Sequence, residues 1–131
     1  MLTEKRIVYT NREYDITIIE IKKDKDNIND FLELENFGED IQNYLQKLSV
    51  YLLYSRREKC LVSFGIIKNI IKEEGKIIHT CASEPGSAGG PIISLISGKV
   101  IGMHNGVKMN KKIKIGTLLF TAILDFLKTK K

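Results

Sequence analysis

Short apolar runs with β-branched and aromatic residues recur along this chain, closed each time by glycine or charged positions. Residues 5–9 and 14–21 are of this kind, and the polar turn 10–13 separates them, which predicts two strands. A charged segment follows at 22–30, then the apolar pair Phe31-Leu32, inside a stretch where acidic residues dominate from Asp30 to Asp40. Ile41, Leu45, Leu48 and Leu52 recur at helical spacing, while residues 50–54 also suit a strand. The expectation is a short helix or loop up to about Leu48 and a strand after it.

From Leu61 onward the strand pattern dominates. Residues 61–67 form one run, with Gly65 marking a bulge or bend; 76–80 form the next, after the turn Glu73-Glu74-Gly75. Strands are also expected at 91–96, at 99–104 with Asn105-Gly106 ending it, and at 113–119 beyond a loop carrying Lys108, Lys111, Lys112 and Lys114. Thr121 stands where it would cap a closing helix with Ile123, Phe126 and Leu127 on one face. Many short strands, glycine turns and one terminal helix predict a mainly β fold, an antiparallel barrel or sandwich.

Composition narrows the function classes. With 131 residues, 43% hydrophobic and 28% charged, the chain is one ordinary globular domain. It has no apolar run of about 18 residues and no leader-like start, so neither a membrane span nor a secretory signal is expected. Cys60 and Cys81 lack metal-ligand spacing and are too few for a disulfide framework, so buried free thiols or a single bridge are expected. These features favour the cytoplasm, with no metal or cofactor. The charge is uneven: residues 1–50 carry 7 basic and 11 acidic side chains, and residues 51–131 carry 14 and 5. A basic half suits acidic peptides or nucleic acid, but no aromatic residues interleave with the lysines to stack bases. A solvated basic surface is the favoured reading, and nucleic acid is not an expected partner.

The chemistry concentrates in Cys81-Ala82-Ser83-Glu84-Pro85-Gly86-Ser87-Ala88-Gly89-Gly90-Pro91, a tight turn feeding the apolar run 92–96. Such a glycine-rich turn lets backbone N–H groups converge on one point, as an oxyanion requires. Gly86-Ser87-Ala88-Gly89-Gly90-Pro91 resembles the G-x-S-G-G-P nucleophile loop of the trypsin-like serine peptidases, with alanine at the serine position. Tyr14-Asp15-Ile16-Thr17-Ile18-Ile19 is similar to the strand that carries the family's triad aspartate. Residues 100–106 are similar to the strand lining its primary specificity pocket, and the C-terminal helix also fits.

The resemblance implies the C-terminal part of a trypsin-like peptidase: residues 1–30 as terminal strands of a first barrel, and 31–131 as the second barrel and closing helix. It implies Asp15 as the orienting carboxylate and the N–H groups of Gly86 and Ala88 as the oxyanion hole. Ser83, His104, Asn105 and Gly106 would line the substrate pocket. In the glutamyl-peptidase branch a histidine at the place of His104 favours an acidic side chain, here expected to act as an imidazolium at low pH. Ala82 falls where trypsin has its pocket aspartate, so cleavage after Lys or Arg is not implied. Ser87 would point away from the hole, so it is no substitute nucleophile. No histidine precedes Asp15, and His79 reads as a packed or surface residue. The expected partner is a peptide or protein substrate, with an upstream segment or second chain supplying the catalytic histidine. The implied activity is serine endopeptidase, incomplete and inactive with Ala88; the alternative is a non-catalytic pseudoprotease that binds peptides. Whether Ala88 is natural or engineered stays open in the sequence.

Overall fold

A computed structural model describes residues 5–35, 41–108, 110 and 112–129, so Lys111 and the acidic positions Glu39 and Asp40 lie outside the described residues. The first two apolar runs form β1 (Val8–Asn11) and β2 (Ile16–Ile19), an antiparallel pair that makes a separate two-stranded sheet. One short helix, α1 (Lys23–Asp26), lies in the charged segment after it. Another, α2 (Ile41–Leu45), then leads into β3 (Ser49–Arg56). The two periodicities read in 41–54 are therefore both real and occur in succession.

Six strands follow one another round a closed barrel: β3, β4 (Lys59–Ile71), β5 (Lys76–His79), β8 (Ile113–Leu118), β7 (Val100–Lys108) and β6 (Pro91–Ser94), which returns to β3. Every neighbouring pair is antiparallel. Closure leaves no strand edge on this sheet. Inward positions such as Val50, Leu52, Ile67, Ile77, Ile92 and Leu118 pack as one core, with Leu45 of α2 plugging the same cluster. The chain closes with α3 (Leu119–Thr129), which buries Ala122 and runs on directly from β8. Thr121 is therefore inside the helix and is not its cap.

Several local expectations are corrected. Gly65 is not the bulge of β4; the register shifts between Ile67 and Asn69. Gly65 instead marks a close approach, since a Cβ there would sit 2.6 Å from the Cys81 amide nitrogen. The strand expected to reach Ile96 stops at Ser94, leaving Ile96 78% exposed in the turn. Asn105-Gly106 does not end β7, which continues to Lys108 through a register shift between His104 and Gly106. Lys108 and Lys114 accordingly belong to strands and not to the loop. Both cysteines are free, and Cys60 is exposed while Cys81 is buried.

The β1–β2 hairpin is held to α3 and to the barrel by several contacts. The Tyr9 hydroxyl donates to Asp125 of α3, and the Tyr9 and Phe126 rings pack at 5.3 Å between centroids. Thr117 of β8 donates its hydroxyl to the Tyr14 carbonyl. Ile16 faces inward and is buried, whereas Val8 is 58% exposed and Ile7, Ile19 and Ile21 are also exposed.

Candidate active site

The glycine loop joins β5 to β6, and its hydrogen bonds fix its shape. The Ser87 N–H donates to the Glu84 carbonyl at 3.0 Å and the Gly90 N–H to the Ser87 carbonyl at 3.1 Å. The Gly89 N–H donates to the His104 carbonyl at 2.7 Å, and the His104 N–H to the Gly90 carbonyl at 2.8 Å, which stitches the loop onto β7. Gly86 and Gly89 have φ of +95° and +89°, the left-handed region in which glycine carries no Cβ penalty. The N–H groups of Gly86 and Ala88 have no acceptor among the described residues. The Ser87 hydroxyl is buried and donates to the Glu84 carbonyl at 2.7 Å, so it holds the turn together.

Behind the loop lies a cavity of about 220 Å³ lined by Ser83, Gly86, Ala88, His104, Gly106 and Lys114, among others. Ser83, Gly86, Ala88, His104 and Gly106, all singled out in the sequence, thus share one space. Asn105 does not line it. The shift in β7 falls at this residue, and its carboxamide donates to Asp15 Oδ2 at 3.3 Å. Asp15 sits at the start of β2 with φ of +54°, exposed, and Asn105 Oδ1 also lies 3.0 Å from the Thr117 hydroxyl. Asp15 and Asn105 therefore meet one residue along β7 from His104, outside the cavity lining.

His79 and His104, the chain's 2 histidines, form a buried pair with 2.9 Å between His79 Nε2 and His104 Nδ1. The strand order explains the contact. His79 and His104 lie on β5 and β7, the two neighbours of β8, and His104 is paired with Gly116 of β8. The Cys81 N–H points at His79 Nδ1 at 3.2 Å. A backbone N–H can only donate, so His79 Nδ1 accepts and the proton of the neutral ring is on Nε2. That proton is donated to His104 Nδ1, which places the proton of neutral His104 on its own Nε2. Burial, then His104 and Lys114, pushes the His79 pKa down to about 4, and burial followed by Lys114 lowers that of His104. Both rings therefore favour the uncharged form at neutral pH.

Two contributors were not found in the sequence. Lys114 was counted as a loop lysine, yet β8 pairs it directly with His79, on the cavity side. Its alternation with Gly116 in an apolar strand was the available signal. His79 was read as a packed or surface residue, because no local pattern announces a partner 25 residues away.

The sequence matches no protein-family model and no curated protein. Solved structures do share the fold. The cysteine-to-alanine mutant of tobacco etch virus protease superposes with a TM-score of 0.68 at 16% identity, covering 91% of this chain and 52% of that one. The inactive serine-to-alanine mutant of Rv3671c from M. tuberculosis H37Rv gives 0.66 at 15%, covering 95% and 64%. The MamO protease domain from Magnetospirillum magneticum gives 0.59 at 12%, covering 92% and 66%. The fold is that of trypsin-like peptidases, a closed antiparallel barrel with a C-terminal helix. The chain spans about half the length of the tobacco etch virus protease.

Proposed function

We propose that this chain is the substrate-pocket barrel of a trypsin-like-fold endopeptidase, together with the last strands of a first barrel at residues 1–30. It binds peptide and, with Ala88 at the nucleophile position, does not cleave it. The observation that carries the reading is the pair of unengaged N–H groups, Gly86 and Ala88, at the mouth of the cavity that His104 lines. Two donors so placed suit a carbonyl oxygen that is gaining negative charge, or the carboxylate of a bound product. Two neighbours of the same fold are tobacco etch virus proteases complexed with product or with substrate, which fits a peptide-binding role for this face.

Asp15 fits the orienting carboxylate, held by Asn105 next to the pocket strand. Its imidazole partner has to come from elsewhere, because both histidines of this chain are committed to each other. An upstream segment or a second chain would supply it and cover the exposed Ile7, Val8, Ile19 and Ile21. The neighbours include both a cysteine-to-alanine and a serine-to-alanine mutant, so the nucleophile that position 88 would carry in an active protein is either residue. Within this reading the side chain taken up by the cavity is acidic, as in the glutamyl-peptidase branch.

The test has two arms. A peptide with a free C-terminal Glu, titrated into the isotopically labelled chain, should shift the Gly86 and Ala88 amide resonances first. A fluorophosphonate probe should leave both this chain and its Ala88→Ser variant unlabelled. Absence of any shift at the two amides rejects the binding cleft, and strong labelling of Ala88→Ser alone rejects the incomplete site.

A further inference from the structure

We propose that the charge selecting an acidic side chain in this cavity is the Lys114 ammonium, and that His79 is a positioning residue holding His104 as an uncharged Nε2–H donor. The inference rests on reading the cavity as the side-chain pocket of a peptide cleft.

The geometry gives each group one task. Lys114 lines the cavity, and no carboxylate pairs with it among the described residues. Glu84 also lines the cavity, but its carboxylate is tied to Arg56 at 2.7 Å, so it does not neutralise Lys114. His104 Nδ1 is occupied by the His79 proton, which leaves Nε2–H as the ring's one free polar group. That proton has no acceptor among the described residues, and His104 is a wall of the cavity. His79 is itself locked by the Cys81 N–H, so the order Cys81, His79, His104 fixes every proton position without an ionised ring.

His104 meets His79 of β5 directly, and Lys114 of β8 and Glu84 of the loop line the same cavity. Protonating His104 would place a second cation beside Lys114 and remove the acceptor that His79 uses. A neutral His104 can donate to the carboxylate of Glu or the carbonyl of Gln, so it admits both side chains while bringing no net charge. Lys114 is the one cationic side chain among the described residues lining the cavity, so the larger part of the discrimination between those two isosteric side chains falls to it.

Two measurements on the full chain test this. Two-bond proton–nitrogen spectra at neutral pH should show both rings neutral with the proton on Nε2. In His79→Gln, whose carboxamide also donates, His104 should keep that tautomer; in His79→Leu, which cannot donate, the Nδ1–H form should appear. Second, peptides ending in Glu or Gln are titrated against the chain between about pH 8 and about pH 5.5. The Glu peptide should bind about tenfold more tightly, as expected for about 1.4 kcal/mol from one charge-assisted contact. The ratio should stay level across the range. Lys114→Met should lower the ratio severalfold, and Lys114→Arg should retain it.

A ratio that climbs as pH falls through the histidine range, or that survives Lys114→Met, overturns the proposal. So does an Nδ1–H tautomer of His104 in the unmodified chain. Equal binding of the two peptides rejects this inference alone, whereas failure of both to bind rejects the peptide cleft and the inference with it.

Discussion

Acid should unfold this protein through His79. The residue is 3% exposed, and its folded pKa of about 4 lies well below the 6.5 of a free imidazole. A base whose pKa is depressed by folding takes up its proton first in the unfolded chain. Its contribution is complete above pH 6.5 and is lost as the pH falls toward 4. Protonation of the two states weighted by these values removes about 2 kcal/mol at pH 5 and about 3 at pH 4, with little more to lose below that. Set against a typical stability of roughly 5–15 kcal/mol, this is a large share. Asp26, which a hydrogen bond from Arg6 holds at about 2, titrates below this window.

The assay is urea unfolding at about pH 7.5 and about pH 5, followed by circular dichroism and tyrosine fluorescence, since the chain has no tryptophan. His79→Gln is the comparison, because it keeps a donor to His104 and removes the titrating ring. The variant starts less stable but should lose about 2 kcal/mol less between the two pH values than the unmodified chain. Equal losses in the two proteins would refute the reasoning, as they would place His79 in contact with solvent.

Three further outcomes follow from packing. Gly90→Ala should cost about 1–3 kcal/mol and weaken peptide-induced shifts at Gly86 and Ala88, because a Cβ there lies 2.5 Å from the Leu53 carbonyl oxygen and drives the loop off β3; thermal melts and the titration above read both. Ile77→Ala removes a fully buried side chain from the barrel centre and should cost about 2–5 kcal/mol in urea unfolding, with the barrel retained. Hydrogen exchange should be faster in β1 and β2 than in the barrel, and faster still in Tyr9→Phe, which loses the bond to Asp125; uniform protection in that variant would contradict this docking.

The strands were legible because their apolar content is dense and their boundaries are marked by glycine and charge. The six-strand order was not, since sequence shows which segments are strands and not which ones pair. Arg57 and Glu58 show the limit of turn signals. They form the two-residue turn of the β3–β4 hairpin, with φ of +49° and +66°, and neither residue type advertises that conformation. In the site, the loop, Asp15 and His104 were visible because short motifs carry them. The facing of Asn105 toward Asp15 was not, because one inserted residue in β7 turns its side chain to the opposite side and only the partner strand reveals the insertion. Lys114 and His79 escaped for the same reason: their roles are set by cross-strand neighbours.

The strand order has a consequence for how the protein is made. β8 is the last strand in the chain, yet it sits between β5 and β7. During synthesis β3, β4 and β5 can pair in sequence, and β6 can join β3, but the ring stays open until residues 113–118 have emerged. Until then β5 and β7 each expose a row of unpaired amides and carbonyls, and the two histidines have no strand between them. Closure is therefore a late and non-local event, slow by nature and dependent on nearly the entire nascent barrel. A ribosome stalled within the last strand would present a sticky, open sheet, so this stretch of the message is where a chaperone has the most to protect.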